Sequence, residues 1–255
     1  MISEINRLVK KAGKIAMDYF GKVEINYKDD NSVVTEADLR VEEFLFAELS
    51  RLIPGSDFLG EEGIAGDVTH KSEYLWIVDP IDGSSCYSKG LPVWGISVAL
   101  VKNLKPFMAS VYFPKVDSMF WADDTGQSFF NGARMANLKG GKRIKPQSFV
   151  CIPSNLFRDC GICLSIKSRS FGSSCYHILQ VARDAAFACV LCSFYIWDLA
   201  ASQTIAHNTG AEMYDSAGHQ LSLWEMIESE KLPEPLIVTY PDRLAQIMEK
   251  ISYNK

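Results

Sequence analysis

The fold is decided by the stretch Trp76-Ile77-Val78-Asp79-Pro80-Ile81-Asp82-Gly83-Ser84-Ser85. Its apolar start predicts a strand that is buried on both faces and ends in a carboxylate. Pro80 cannot donate a ladder hydrogen bond, so the turn there can aim Asp79 and Asp82 at one point beyond the strand. Gly83–Ser85 can open a helix whose first amides face the same point and bind phosphate. Carboxylates repel phosphate, so the pattern predicts Mg²⁺ or Mn²⁺ between them, because hard oxygen ligands favour these ions over Zn²⁺.

Two further acidic segments can complete such a site. Glu61 and Glu62 lie in a turn flanked by Gly60 and Gly63, and Asp198 lies between an apolar run and a helix start rich in small residues. A single aspartate at a strand end is more often a turn former or a helix cap than a ligand. Three acidic turns, each beside a buried apolar segment, favour one shared metal site.

The rest of the chain predicts a layered α/β architecture. The apolar spacing of the first twenty residues predicts a helix capped by Gly21, and Thr35 is the expected N-cap of a second helix over Glu36–Leu52. Further strands are predicted at Trp94–Val101, Phe107–Phe113, Met119–Ala122, Val150–Ile152, Ser170–Gly172, Phe194–Trp197 and Pro235–Val238, and further helices at Tyr176–Ala188, Leu199–Thr209 and Asp242–Ser252. We expect residues 1–255 to form one domain with two lobes, of about 1–145 and 146–255.

Composition excludes several partners and compartments. The 255-residue chain has a formal net charge of −5 and no block of like charges, so nucleic acid and anionic membrane surfaces are not expected partners. The start of the chain shows no signal peptide, and the longest nearly apolar stretch, Ala185–Trp197, is too short to span a bilayer. The chain has seven cysteines, an odd number, and is large enough to fold without disulfide bonds, which predicts a cytoplasmic protein with reduced thiols.

The motifs together resemble those of the inositol monophosphatase superfamily, particularly its bacterial members. That family is marked by D-P-[IL]-D-G-[ST]-[ST], preceded by G-E-E and followed by W-D-x-A. The matching segments here are Val34–Asp38, Gly60–Glu62, Asp79–Ser85, Gly90–Pro92, Ser97–Leu100 and Trp197–Ala200, within a resemblance over about 5–220. The resemblance implies a five-layer αβαβα sandwich and a Mg²⁺-dependent phosphomonoesterase that lithium inhibits. Many relatives are homodimers.

The resemblance also implies a set of metal ligands. Asp79 bridges two metal ions, and Glu61 and the backbone carbonyl of Ile81 complete the protein ligands of the first. Asp82 and Asp198 complete those of the second. We therefore expect two or three Mg²⁺ ions at the site, with Mn²⁺ as a substitute.

The remaining roles concern water and phosphate. By resemblance, Asp38 hydrogen-bonds the hydroxyl of Ser84, and this pair, with Glu61, activates a metal-bound water. The amides of Gly83, Ser84 and Ser85 hold the phosphate. Glu62 and Thr35 support the ligands from behind, or Glu62 binds a weaker third metal ion.

The substrate is the less constrained part of the prediction. Gly172-Ser173 resembles a family Gly-Ser beside the phosphate, so Ser173 is a candidate phosphate-binding residue. The family commonly places a sugar-recognising aspartate eleven residues before Asp198; here that position is Phe187, and Asp184 replaces it only if the loop is three residues longer. Inositol 1-phosphate is the first expected substrate. Adenosine 3′,5′-bisphosphate is the alternative, because 28–32 resembles the nucleotidase branch, and histidinol phosphate is a third.

Two hypotheses from other classes remain. Cys160-x-x-Cys163 and Cys189-x-x-Cys192 have the spacing of a zinc ribbon, but the second pair lies in an apolar run where buried cysteines act as small hydrophobes. A non-catalytic metal- or phosphate-binding protein on the same fold is the other. It need not retain the Asp38–Ser84 pair, which therefore favours an enzyme.

Overall fold

The computed structural model describes residues 1–22, 26–27, 33–65, 72–138, 142–192, 194–222 and 235–253. Its helices are α1 (Ile2–Tyr19), α2 (Glu36–Leu52), α3 (Ser84–Ser88), α4 (Leu156–Asp159), α5 (Ser174–Ala182), α6 (Ile196–His207) and α7 (Leu244–Met248), with short 3-10 helices at Pro114–Val116 and Pro241–Arg243. Its strands are β1 (Asn26–Tyr27), β2 (Val33–Val34), β3 (Asp57–Gly60), β4 (Tyr74–Asp82), β5 (Gly95–Lys102), β6 (Lys105–Phe113), β7 (Ser118–Ala122), β8 (Ser128–Phe130), β9 (Ala133–Arg134), β10 (Phe149–Cys151), β11 (Ile162–Leu164), β12 (Lys167–Arg169), β13 (Ala188–Leu191), β14 (Glu212–Tyr214), β15 (Gln220–Leu221), β16 (Leu236–Thr239) and β17 (Ile251–Tyr253).

Two large sheets organise these elements. The first holds seven strands in chain order, β3 to β9, and after the parallel β3–β4 pair it is an antiparallel meander. The second has the order β12-β10-β13-β16-β14-β15, in which β10 is parallel to both of its neighbours. The meander that the first half of the sequence predicts is therefore present.

Three apolar layers hold the helices and sheets together. Helices α1 and α2 cover the outer face of the seven-stranded sheet, α5 and α6 lie between the two sheets, and α4 and α7 cover the far face of the six-stranded sheet. Strand β4 contributes to two layers, because alternate side chains point to opposite faces. Trp76 and Val78 pack under α1 and α2, whereas Leu75 and Ile77 face the central layer. The αβαβα sandwich is confirmed.

The first half of the chain follows its sequence pattern closely. Helix α2 spans Glu36–Leu52 with Thr35 as its N-cap, and Gly21, just after α1, has the positive φ of a capping glycine at 74°. Among the described residues, no helix is both long enough and apolar enough to cross a membrane.

Four predictions for the second half are wrong. The strand predicted at Ser170–Gly172 lies three residues earlier, at Lys167–Arg169. The region predicted as a helix to Ala188 leaves the helix after Ala182, and Asp184 takes a positive φ of 63°. The buried strand is Ala188–Leu191, not Phe194–Trp197, where α6 begins instead. A short apolar run gives no periodicity that separates a buried strand from a buried helix, which explains this error. Asp242–Ser252 likewise divides into a short helix and strand β17.

Candidate active site

Three carboxylates converge where β4 ends against the N-termini of α5 and α6. Asp79, Asp82 and Asp198 each offer an oxygen atom within 4.8 Å of the others. They open onto a cleft of about 720 Å³. Its described lining residues are Val33, Glu61, Asp79, Ile81, Asp82, Gly83, Ser84, Ser85, Ser154, Asn155, Arg158, Gly172, Ser174, Tyr195, Trp197 and Asp198.

The start of helix α5 fixes Asp82. The backbone N–H of Ser174 donates to Oδ1 at 3.0 Å, the N–H of Cys175 donates to Oδ2 at 3.1 Å, and the hydroxyl of Ser173 also donates to Oδ2. Burial raises the pKa of Asp82 to about 6, although these donors pull the pKa down. Asp82 therefore ties the last residue of β4 to the helix between the sheets.

Asp79 is the least satisfied carboxylate of the site. Its side chain is buried, and its Oδ1 has no hydrogen-bond partner among the described residues. Burial raises its pKa well above the usual value, and the charges of Glu61, Asp82, Asp198 and Asp38 raise it further. An ionised carboxylate in such a place is costly unless a cation compensates it. The hard oxygen donors around it fit a divalent cation.

Asp38 and Ser84 form the second functional group of the cleft. The Ser84 Oγ lies 3.2 Å from Asp38 Oδ1 and 2.9 Å from the carbonyl oxygen of Ile81. The N–H and hydroxyl of Thr35 donate to Asp38 Oδ2 at 2.8 and 2.6 Å, so one oxygen is held and the other faces Ser84. Burial raises the pKa of Asp38, against the lowering effect of these hydrogen bonds.

The turn that carries Ser84 and Ser85 requires glycine. Gly83 has φ 95°, a conformation that L side chains rarely adopt. A Cβ atom there would lie 2.8 Å from the carbonyl oxygen of Gly172, so the turn packs directly on the backbone before α5. This close approach places the first amides of α3 at the floor of the cleft.

Comparison with known proteins decides the family. The family model described as "Inositol monophosphatase family" matches residues 1–240. The chain belongs to the inositol monophosphatase family. A fructose-1,6-bisphosphatase/inositol-1-monophosphatase of Aquifex aeolicus is 27% identical over 252 residues, which cover 92% of each chain. A histidinol-phosphatase of Chlorobaculum parvum is 29% identical over 227 residues, covering 84% of this chain and 85% of that protein.

The solved structure of a Thermotoga maritima IMPase superimposes with a TM-score of 0.82 at 21% identity, covering 97% of this chain and 95% of that one. This likeness concerns the fold. Members of the inositol monophosphatase family are metal-dependent phosphatases that hydrolyse phosphate monoesters, and this chain is a phosphoric monoester hydrolase of that family. Its cluster of Asp79, Asp82 and Asp198 is suited to hold the metal.

Some residues predicted for substrate binding lie elsewhere. Asp184 is not at the cleft: its carboxylate accepts a hydrogen bond from Arg243 at 2.9 Å, pairs with Lys142, and lines a separate cavity. Asp184 lies in the turn after α5, where its backbone N–H donates to the carbonyl of Val181. Ser173, predicted to bind phosphate, lies beside the cleft as the N-cap of α5 and donates to Asp82. Glu62, predicted as a supporting residue, does not line the cleft.

The two cysteine pairs form no metal cluster within the part of the chain that the structure describes. The described residues contain one cluster with metal-ligand spacing, and it is the carboxylate cluster. Cys189 and Cys192 are buried in the apolar layers around the six-stranded sheet, whereas Cys163 is exposed on β11. The zinc-ribbon hypothesis is therefore not supported by the geometry.

Glu42 is a supporting residue that the sequence motifs do not predict. It is fully buried on α2, and its carboxylate accepts hydrogen bonds from the backbone N–H of Glu62 at 2.8 Å and of Ile64 at 3.1 Å. A Cβ atom at position 60 would overlap the Glu42 carboxylate, so Gly60 is needed for this contact. Glu42 thus fixes the turn that carries Glu61. The sequence feature that could have pointed to Glu42 is a charged residue next to Val41 on the apolar face of a helix, where charged residues are rare.

Replacing Glu42 by glutamine is expected to weaken divalent metal binding by about ten- to a hundredfold, since residues behind metal ligands commonly contribute that much. Glutamine keeps the size of the side chain but offers one acceptor oxygen for two N–H groups. The measurement is calorimetric titration of Mn²⁺ into metal-free protein. Glu43→Gln is the matched control, because Glu43 is exposed and pairs only weakly with Arg40 at 3.4 Å. Wild-type affinity in both variants would contradict the assignment.

The stability of metal-free protein is expected to fall as pH rises from about 4, the usual pKa of an aspartate in an unfolded chain, to about 6, the pKa of Asp82 in the folded protein. The folded protein holds Asp79 and Asp82 with raised pKa values, so their protonated forms favour folding, and this stabilisation is lost as pH rises through the folded pKa. His177, whose pKa burial lowers to about 4, opposes the effect over the same pH range, but it is one group against two. Melting temperatures in EDTA test this, and Asp79→Asn should flatten the slope. A melting temperature that rises over this range would contradict it.

Proposed function

We propose that this phosphatase uses Mg²⁺ to hydrolyse a small phosphate monoester, with inositol 1-phosphate as the first substrate, giving an alcohol and inorganic phosphate. The observation that carries the proposal is the buried Oδ1 of Asp79. This oxygen has no hydrogen-bond partner among the described residues, and it lies close to several other carboxylates. Such an oxygen is stable in its ionised form only beside a cation. The Asp38–Ser84 pair at the same cleft supports turnover over mere binding.

The residues that would hold Mg²⁺ are carboxylates and one carbonyl. They are Glu61, Asp79, Asp82, Asp198 and, through its backbone oxygen, Ile81. Both oxygens of Asp82 accept backbone N–H bonds at the start of α5, and one oxygen of Asp198 accepts the N–H of Tyr195, so the orientation of both carboxylates is set before any ion binds. Bound magnesium would neutralise the phosphate and make an attacking water more acidic.

Ser84 and Asp38 orient and deprotonate the attacking water in this proposal. When the Ser84 hydroxyl donates to Asp38 Oδ1, its lone pairs are free to accept a hydrogen bond from water in the cleft. Asp38 Oδ1 is the final acceptor for the proton that Ser84 Oγ passes on. The raised pKa of Asp38 makes it a better base than an exposed aspartate.

The first turn of α3 would bind the phosphate. The first hydrogen bond of the helix runs from the N–H of Tyr87 to the carbonyl oxygen of Gly83, at 3.0 Å. The N–H groups of Ser84 and Ser85 come before it and therefore have no acceptor within the helix. Their donors can therefore point to phosphate oxygens in the cleft, and Gly83 permits the approach. No protein nucleophile is required, so the reaction needs no covalent intermediate.

One observation favours a second substrate. Tyr195 and Trp197 line the cleft and stack on each other, with ring centroids 4.9 Å apart and planes 14° from parallel. Tyr195 is 52% exposed, so it offers an aromatic face to a bound ligand. Bases stack on such faces, which supports adenosine 3′,5′-bisphosphate as the alternative to inositol 1-phosphate. Asp184, the candidate replacement for the sugar-recognising aspartate of the family, does not line the cleft, so it gives no support to a cyclitol over a nucleotide.

Phosphate release from a substrate panel tests the proposal. Inositol 1-phosphate, adenosine 3′,5′-bisphosphate, fructose 1,6-bisphosphate and histidinol phosphate are each incubated with Mg²⁺, with EDTA, and with Mg²⁺ plus lithium. Phosphate release that needs Mg²⁺ and falls with lithium supports the mechanism. The substrate that is hydrolysed fastest identifies the branch of the family to which the enzyme belongs. Metal binding without release from any substrate would favour the non-catalytic binding protein.

Homodimer assembly and a cytoplasmic location stay predictions.

A further inference from the structure

A second cavity lies at the opposite end of α5 from the carboxylate cluster. It has a volume of about 210 Å³ and is formed by the segments that follow α5 and precede β10, together with Arg243. The nine-residue helix spans about 13 Å at 1.5 Å per residue. Among the described residues, this cavity and the active-site cleft share no lining side chain. Its volume is below that of pockets for drug-sized ligands, so it suits a small ion or group.

The cavity is basic in an acidic protein. Among its described lining residues, the cationic side chains of Lys142, Arg143, Lys145 and Arg243 surround a single carboxylate, that of Asp184. Asp184 pairs with both Lys142 and Arg243, so its charge is already shared. Within the described part of the chain, Arg143 and Lys145 make no ion pair. The whole chain carries a formal charge of −5, which makes this local positive excess unusual.

Arg243 has N–H donors for which the described residues supply no hydrogen-bond acceptor. Its side chain is 3% exposed, and its Nη2 donates to Asp184 Oδ1 at 2.9 Å. Its Nε and Nη1 are buried with no hydrogen-bond partner among the described residues. The rings of Tyr240 and Phe187 lie 4.3 and 5.2 Å from the guanidinium carbon, but rings interact with the face of the group and leave its in-plane N–H donors unpaired.

We propose that this cavity is a binding site for a small multivalent oxyanion such as inorganic phosphate. Arg243, whose Nε and Nη1 have no described partner, lies in the wall, and the exposed side chains of Arg143 and Lys145 add positive charge. Arginine forks match the oxygens of phosphate in geometry as well as charge. The site is separate from the acidic cleft and does not depend on the reaction proposed for that cleft.

The test is a residue-resolved NMR titration of metal-free protein with inorganic phosphate at low ionic strength. Without metal the acidic cleft repels the anion, so binding there does not mask the basic cavity. We expect saturable shifts in the amides of residues 142–148 and 184–187 and in the Nε–H of Arg243. The double variant Arg143→Glu/Lys145→Glu changes exposed residues and should weaken the affinity by at least about tenfold. Lys115→Glu, an exposed lysine elsewhere, should stay within about twofold of wild type.

Three results would overturn the proposal. One is an absence of saturable shifts at the cavity. Another is a set of shifts scattered over the surface, which would indicate nonspecific screening. The third is equal weakening by Lys115→Glu and the double variant. Arg243→Gln is an independent arm: if it folds, it should abolish binding, and unaltered binding would remove Arg243 from the site.

Discussion

Replacing Asp79 by asparagine is expected to lower kcat/KM by about a thousandfold or more, since loss of a metal ligand removes several kcal/mol of charge stabilisation and each 1.36 kcal/mol is tenfold in rate. The same change should raise the melting temperature of the metal-free protein. The asparagine side chain would carry no charge into a site where burial and four carboxylates already raise the pKa of the aspartate. A variant that is less active and more stable without metal is the signature of a ligand.

Steady-state kinetics with Mg²⁺ and thermal unfolding in EDTA measure the two effects. A gain of 1 kcal/mol shifts the melting temperature of a chain this size by about 2–4 °C. Asp124→Asn is the control for charge removal, because Asp124 is exposed in a turn far along the meander. Near wild-type turnover in the Asp79 variant would show that the metal assignment is wrong.

Ser84→Ala is expected to lower kcat by about a hundred- to ten-thousandfold, the usual contribution of a positioned acid–base group. Metal affinity should change little, because the hydroxyl of Ser84 contacts Asp38 and the Ile81 carbonyl and is not itself an expected ligand. The KM for substrate should also change little, since the proposed phosphate donors are backbone amides, which alanine retains. The separation of kcat from metal affinity distinguishes water activation from metal binding.

Calorimetry with Mn²⁺ and rate measurements on the same preparation make that comparison. Ser88→Ala is the matched control, because the Ser88 hydroxyl is exposed and donates only to the carbonyl of Ser85, at 3.1 Å. Equal losses of kcat and metal affinity in the Ser84 variant would instead assign Ser84 to the metal ligands. Unchanged kcat would remove the Asp38–Ser84 pair from the mechanism.

Local sequence was sufficient to predict the parts of the site that are built by one short segment. Strand β4 and the start of α3 follow from residue types within ten positions, and α2 follows from its apolar spacing and its N-cap. The turn predicted at Pro80 is wrong: β4 continues to Asp82, and a register shift between Asp79 and Asp82 takes the place of the turn. The convergence of three acidic turns was predicted from their position beside buried segments and from the family resemblance. The structure places Asp79, Asp82 and Asp198 together.

Long-range contacts were not accessible in the same way. The bonds from Ser173, Ser174 and Cys175 to Asp82 join residues more than ninety positions apart. Glu42 on α2 fixes the turn that carries Glu61, and the only feature that indicated this role was a charged residue on the apolar face of the helix. Asp184 was assigned to the substrate by counting positions, whereas its ion pairs with Lys142 and Arg243 hold it in another cavity. Tertiary partners decided these positions, and a single sequence does not display them.

The most direct test of the central claim is a crystal structure of the protein soaked with Mn²⁺, with anomalous diffraction used to locate the ions. We expect at least one anomalous peak between Asp79, Asp82 and Asp198, at about 2.0–2.3 Å from their oxygens, the usual distance for oxygen ligands of a small divalent cation. The same crystals of Asp79→Asn should lose or weaken that peak. A fully occupied peak at the cysteines or elsewhere, with none in the cleft, would contradict the account.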